Sequence, residues 1–460
     1  MMITGRVWHM PESVMRTKTF RPYDQDSLLL MPPSVRDWVE PDSLPAFISD
    51  LVDELDLAPF LAAHDEPRGM PPYHPAMMLK VLLYGYAVGV RSSRKLEERL
   101  RSDVGFMYLA GQARPDHKTI SEFRRRHLDA FEALFLDILH LCQAAGLVKL
   151  GRVALDGTKV KADASKHKAM SYARMDECEA ALRAEVKRIL AEAEATDRAE
   201  DERYGEDVRG DELPPELRTR EGRLRAIRKA RAALEEEAQE RTGDPDAVPD
   251  PRAQRNFTDP ESRIMPSKPD GWVQGYNAGA VVDAEHQVIV ATTITADTTD
   301  TGSLPALVDG VEANTGRRPK KLLADAGYAS DDNLAHLAGK GIDAYVAVRR
   351  AKHATTPPPA PRGRIPRTAT PRQRMARKLT TKKGRAEYAR RKAIVEPVFG
   401  QIKEAMGFRR FSLRGKAKVT GEWHLVCAVH DLGKLFRSGR AGRVVPGWDR
   451  PERQQVLRWA

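Results

Sequence analysis

Val153-Ala154-Leu155-Asp156-Gly157-Thr158-Lys159-Val160 is the stretch whose reading decides the fold. It reads as a buried strand that ends in a turn. An acid inside that otherwise apolar run is costly unless it is ligated or lies at the open edge of a sheet. Downstream, Val273 to Val282 and Gln287 to Thr295 read as strands joined by Asp283-Ala284-Glu285-His286, a sequence suited to a hairpin turn. Ser303 to Ala313 reads as a helix, Lys321 to Asp325 as a short strand, Asp331 to Gly339 as a helix and Ile342 to Val348 as a strand. Arg385 to Met406 is helical in composition, with Pro397 expected to make the helix start or kink at Glu396. Antiparallel strands first and β-α alternation later predict an α/β fold, a mixed sheet flanked by helices.

Upstream, residues 24–146 read as helical. Leu44, Phe47, Ile48, Leu51, Val52 and Leu55 recur at helical spacing, and Met77 to Val90 is apolar nearly all round. Ser92 or Ser93 can cap a helix over Arg94 to Arg101. Thr119 and Glu122 form a capping box that predicts one long helix through Leu141. With Arg124, Arg125 and Arg126 on it, this region could be a helix-turn-helix reader of DNA or an ordinary bundle. Residues 168–243 return to charged helix broken at Pro214 and Pro215, as in an inserted helical hairpin. The expected organisation is a helical DNA-binding domain over 1–146, a catalytic domain over 147–440 with a basic loop at 349–384, and a tail over 441–460.

The chain of 460 residues carries 76 Lys+Arg against 65 Asp+Glu, a net charge of +11. Sixteen of the basic residues fall between Arg349 and Lys392, where Glu387 is the only acid. Such a block repels itself unless a polyanion lies beside it, and nucleic acid is the obvious one. Arg372, Arg374, Arg377 and Lys378 are its candidate DNA contacts. Three dispersed cysteines exclude a disulfide framework and a cysteine-based zinc cluster, and fit a reducing cytoplasm. The longest apolar stretch is too short to span a bilayer, so no membrane role is expected.

Three acids could meet in this topology: Asp156 at the end of the first strand, Asp325 at the end of the fourth, facing the crevice where such sheets bind ligands, and Glu396 on the last helix. Breaking a phosphodiester requires an activated nucleophilic oxygen and a stabilised leaving alkoxide. Two Mg²⁺ ions roughly 4 Å apart supply both and ask only for hard carboxylate ligands. At 100° per residue, Lys403 lies only about 20° round a helix from Glu396. That suits a phosphate contact beside a metal ligand. Asp163 and Asp300 are alternative acids, and both sit in loop settings that suit turn roles.

At these residues the sequence resembles the DDE transposases of bacterial insertion sequences, with an InsH-like N-terminal domain and a ribonuclease H-like catalytic core. The resemblance runs from Arg21 to Arg437. It rests on Arg21-Pro22-Tyr23-Asp24, Tyr73-His74-Pro75, Pro115-Asp116-His117-Lys118-Thr119, Asp156-Gly157-Thr158-Lys159, Gly275-Tyr276-Asn277, Ala324-Asp325-Ala326-Gly327-Tyr328 and Val395-Glu396-Pro397-Val398-Phe399-Gly400 with Lys403. It implies that Asp156, Asp325 and Glu396 are catalytic metal ligands for two Mg²⁺ ions, with Mn²⁺ able to replace them. Many of these enzymes carry Tyr-x2-Arg-x3-Glu-x6-Lys around the glutamate. Here Lys392 and Ala389 hold the arginine and tyrosine positions, while Tyr388 and Arg391 each sit one residue early. His430-Asp431-Leu432 stands where asparagine then leucine is more usual.

The implied activity is cleavage at the element's terminal inverted repeats, followed by strand transfer into target DNA. The implied partners are double-stranded element-end and target DNA, with a homodimer forming on the DNA at the nucleoid. A catalytically inactive DNA-binding regulator and a stand-alone nuclease with the same core are the alternatives.

Overall fold

The computed structural model describes residues 34–63, 71–185, 187–188, 215–267, 271–348, 363–446 and 448. The Arg21-Pro22-Tyr23 match, the basic residues Arg349, Arg350, Lys352 and Arg362, and most of the 441–460 tail lie outside them.

The first half of the described chain is helical: α1 (Leu44–Asp53), α2 (Ala58–Leu61), α3 (Pro75–Ala87), α4 (Ser93–Ser102), α5 (Val104–Leu109), α6 (His117–Arg126) and α7 (Ala130–Ala144). The apolar stripe of α1 and eight of the thirteen residues of α3 are buried, the rest of α3 being half-buried. The single long helix expected from Thr119 to Leu141 is two. The cap of α6 is Asp116, whose side chain accepts from the Thr119 backbone N–H at 2.7 Å, not Thr119 itself. The chain leaves helical geometry at His127. The following residue, Leu128, has its carbonyl pressed against Gly421, where a Cβ would come within 2.9 Å of it. Tertiary contact overrides a continuous helical pattern there.

The sheet holds β1 (Val153–Lys161), β4 (Arg263–Ser267), β5 (Gly271–Asp283), β6 (Ile289–Thr295), β7 (Lys321–Ala324) and β8 (Asp343–Val346). Its order is β4-β5-β1-β7-β8, with β6 also paired to β5. The pairs β1–β5, β4–β5 and β5–β6 are antiparallel, and β1–β7 and β7–β8 are parallel. Helices α10 (Leu304–Thr315) and α11 (Asp331–Gly339) connect the later strands, and α12 (Pro371–Thr380), α13 (Lys382–Gly400) and α14 (Lys416–Arg437) complete the cover. This is a mixed α/β sheet flanked by helices, the order of a ribonuclease H-like core.

Between β1 and the rest of the sheet the chain makes a helical excursion. A short ladder, β2 (Ala169–Ser171) with β3 (Gln254–Asn256), closes its base. Helix α8, described over 172–185, packs on α9 (Pro215–Thr242) around Tyr172, Met175, Leu182, Leu224, Ile227 and Leu234, a core separate from the main one.

Two local details differ from expectation. The strand does not end at Asp156: β1 continues to Lys161 because β5 keeps pairing with it, whereas parallel pairing with β7 stops at Leu155. Nor does Pro397 break α13, which runs from Lys382 through Gly400. A proline removes the hydrogen bond that the carbonyl four residues earlier would accept. Here that carbonyl, Ala393 O, takes the Gln287 side-chain amide at 3.0 Å instead.

Candidate active site

The end of the parallel ladder positions the aspartates. Asp156 is the first residue of β1 beyond its β7 partner, and Asp325 is the first beyond β7. Each carboxylate turns back onto local backbone. Asp156 Oδ1 accepts from Gly157 N at 2.9 Å, and Asp325 Oδ1 accepts from Gly327 N at 2.8 Å in a short 3₁₀ turn. Burial raises the Asp156 pKa; Arg391 opposes that shift, and the charge of Asp325 reinforces it. The two acids are thus close enough to feel each other. Buried Tyr328 lies beside them, and its phenol is pushed well above its ordinary range by burial and then by Asp300, Asp156 and Asp325.

Arg391 on α13 reaches across to Asp156, Nη1 to Oδ2 at 2.6 Å, with only 10% of its side chain exposed. Tyr388, one turn earlier, has its pKa raised by burial, lowered by Arg391, and raised again by Asp325 and Asp156. These are the tyrosine and arginine that sit one residue early in the sequence motif. The residues at the nominal positions, Ala389 and Lys392, are exposed. Three residues apart on one helix, Tyr388 and Arg391 share a face and keep the motif's own spacing.

Glu396 is exposed on α13 and is not brought to the aspartates. Five residues of helix place it about 140° round from Arg391. Among the described residues no three His, Cys, Asp or Glu side chains stand close enough to hold a metal ion. Lys403 lies in the turn after α13, its Nζ 3.2 Å from the Lys159 carbonyl of β1. The donor chemistry nevertheless suits a hard cation. All the atoms are oxygens, the two carboxylates repel each other, a guanidinium already supplies positive charge, and the buried Asn277 Oδ1 has no hydrogen-bond partner. Asp156 and Asp325 are the residues that could hold such an ion, with Arg391 giving way.

Of the two alternative acids, Asp163 is paired with Arg414 at 2.8 Å. Asp300 does belong to the cluster. Its backbone carbonyl accepts from the Ser303 hydroxyl as a turn residue would, while its carboxylate holds Lys159 and Asn277. Strand alternation on β1 carried a signal for Lys159, because Gly157, Lys159 and Lys161 share the face opposite Asp156.

The remaining basic candidates divide. Arg124 is buried, and its guanidinium donates to the Arg91 carbonyl at 2.9 Å, to Ser93 Oγ and to Tyr86. These bonds tie it into the fold, where it lines a basic cleft. Arg125 is exposed and paired with Glu122, and Arg126 is exposed. Two clefts that the charge block did not predict flank the Asp163 loop. One, of about 610 Å³, is bordered by Arg91, Arg94, Lys95 and Arg410. The other, of about 510 Å³, is bordered by Lys161, Lys166, Lys168, Arg410 and Arg414.

Residues 246–432 match the family model of the transposase DDE domain, and residues 33–126 match that of a transposase domain, DUF772. Asp325 and Glu396 fall within the first match; Asp156 and the helical excursion precede it. No curated protein and no solved structure matches the chain. The DDE family generally uses divalent metal ions and acts on DNA. No helix among the described residues is long and apolar enough to cross a membrane. Two transposase domains in this order, the second over a ribonuclease H-like sheet, place the chain among the DDE-type transposases of insertion sequences.

Proposed function

We propose that this transposase binds the terminal inverted repeats of its own insertion sequence, cleaves them in a metal-dependent reaction and joins the freed strand to target DNA. The observation that carries the reading is the Asp156–Asp325 pair at the open end of the sheet, in a chain with a transposase DDE domain. Asp156, Asp325 and Glu396 are the metal-holding acids; Glu396 lies apart on the exposed side of α13 and completes the set only when metal and DNA draw it in. When bound, two Mg²⁺ ions, or Mn²⁺ in their place, activate the attacking oxygen and stabilise the leaving alkoxide. Arg391 neutralises Asp156 in the form described here and becomes free to contact a phosphate on release. Lys403 and the two basic clefts hold the DNA backbone, with exposed Arg125 and Arg126 towards the element ends. Two copies on DNA pair the two ends.

The test uses a duplex carrying the inverted repeat that flanks this reading frame. Asp156→Asn, Asp325→Asn and Glu396→Gln should each lower Mg²⁺-dependent cleavage by at least about 10³-fold while retaining duplex binding. Full cleavage by any one of them removes that residue from the set. Binding without cleavage by the unaltered chain would make it a DNA-binding regulator.

A further inference from the structure

The face of β1 opposite Asp156 holds a second arrangement of charge that the proposed reaction does not use. Lys159 Nζ lies 3.1 Å from Asp300 Oδ1, and both side chains are mostly buried, 17% and 21% exposed. The Asn277 side-chain amide donates to the same carboxylate oxygen. Asp300 is wedged between the glycines that follow the two aspartates. A Cβ on Gly157 would lie 3.0 Å from Asp300 Oδ1 and 2.8 Å from Asn277 Oδ1. A Cβ on Gly327 would lie 3.2 Å from Asp300 Oδ2 and 3.0 Å from Asp325 Oδ1. One carboxylate therefore reaches both turns, and Asp300 and Asp325 approach the same point above Gly327.

The turn bearing Asp300 is stitched in place. Thr301 Oγ1 donates to Gly327 O at 2.7 Å, and the Asn333 amide donates to Thr301 O at 2.8 Å and to Tyr328 O at 2.9 Å. So much fixation of one acid, beside two others it must repel, needs a reason. The ammonium of Lys159 supplies it. Lys159 leaves β1 on the face opposite Asp156, but Asp300 and Asp325 approach one point at Gly327, so its ammonium, on a flexible four-carbon stem, would be drawn to Asp325 if Asp300 did not hold it. A cation of the chain's own in that position would compete with any divalent ion.

We propose that Asp300 is a positioning residue that holds Lys159 off Asp325 and so keeps the aspartate pair open to divalent metal. The inference rests on the metal-binding reading of Asp156 and Asp325. Gly157 and Gly327 follow from the same design, since a side chain at either would displace the Asp300 carboxylate.

Direct Mn²⁺ titration of the full-length protein without DNA, read by the paramagnetic signal of the free ion, tests it. Asp300→Asn preserves shape and removes the charge that holds Lys159. It should raise the Mn²⁺ concentration for half-saturation about tenfold. The double variant Asp300→Asn/Lys159→Met should return to within about twofold of the unaltered protein. A structural defect would not be repaired by removing a second polar group, so failure of the rescue overturns the proposal. An unchanged Mn²⁺ affinity in Asp300→Asn overturns it too. Should Asp300→Asn fail to fold, Lys159→Met alone decides: half-saturation should stay equal or fall, and a rise overturns the proposal. If the unaltered protein binds no Mn²⁺, the metal reading itself fails and takes this inference with it. Binding by the unaltered protein with no response to these variants removes Asp300 alone.

Discussion

Asp431 shows how one residue can look anomalous in sequence and make sense in place. It stands on α14 at a position where the family resemblance leads one to expect asparagine, and it is fully buried. Its Oδ1 accepts from the Ile289 backbone N–H at 2.8 Å, whereas buried Oδ2 has no hydrogen-bond partner. Burial pushes its pKa well above the usual carboxylate value, more than Ile289 N–H and Lys434 can offset. Burial thus favours the protonated carboxyl, which has nearly the shape and polarity of a carboxamide. Because the folded pKa is raised, this group's contribution to stability is fully present below the unfolded value and is lost as pH rises through the folded one. Asp431→Asn should therefore be more stable by about 1–2 kcal/mol at pH 8, with the advantage shrinking on acidification. Urea denaturation at several pH values measures it, and a pH-independent difference would mean that Asp431 is not held neutral.

At the scale of the element, α12 separates exposed cations, offered to a polyanion in the proposed reading, from cations that build the fold. Its sequence reads as a uniform run of positive charge, but its residues have different work. Lys378 Nζ reaches Asp343 Oδ1 at 2.5 Å and the Ala344 carbonyl at 2.6 Å, and lies 4.0 Å from the centre of the Tyr345 ring. It fastens the helix to β8. Arg377 donates to the Gly363 carbonyl. Arg372 and Arg374 are exposed, and among the described residues their guanidinium groups meet the carbonyls Val348 O, Ala369 O and Arg367 O. Replacing Arg372 and Arg374 by alanine should weaken binding to any duplex and make the plot of log K against log salt shallower by about 2. Lys378→Met should leave that slope unchanged and instead cost roughly 1 kcal/mol of stability. Salt-dependent anisotropy titrations distinguish the two, and equal slopes for both variants would reject the division.

For the whole molecule, the N-terminal helices and the sheet share one apolar core running from Phe47 to Val445. Helix α14 lies between them and carries buried Glu422, which accepts from Ser412 N at 2.8 Å, from Leu413 N at 3.2 Å and from the Tyr86 hydroxyl at 3.3 Å. Arg124 meets the same hydroxyl from α6. Arg91 reaches the Gly407 carbonyl at 2.5 Å and the Arg410 carbonyl at 3.1 Å, and stacks over Phe408. These contacts join the two matched transposase domains rigidly and form the wall of the larger basic cleft. Glu422→Ala should cost roughly 3–5 kcal/mol, as breaking a buried charge network does. Denaturant unfolding followed by both helical and tryptophan signals should show a single transition moved to lower concentration. An unmoved midpoint would show that the joint adds no stability.

Most of the element order along the chain was legible from the sequence because hydrophobic period and turn chemistry are local, whereas β4 and the order of strands in the sheet were not. The β5–β6 hairpin, the short β7 and β8 and the helices between them follow from residues within about ten positions of one another. The aspartates were legible for a similar reason: an acid at the end of an apolar run is costly unless something meets it. Three further matters lay beyond the sequence. The long helix through Thr119 breaks at His127, where Leu128 meets Gly421, nearly three hundred residues away. Pro397 is tolerated inside α13 because Gln287, more than a hundred positions earlier, takes the carbonyl that the proline strands. Arg124 and Lys378 are tied into the fold, and Asp300 joins the acids, because partners distant in the chain hold them. Charge and periodicity are properties of a segment, so the sequence determined which elements form and which side chains could do chemistry. Which of those side chains are free to do it depends on their contacts, and only the folded chain decides contacts.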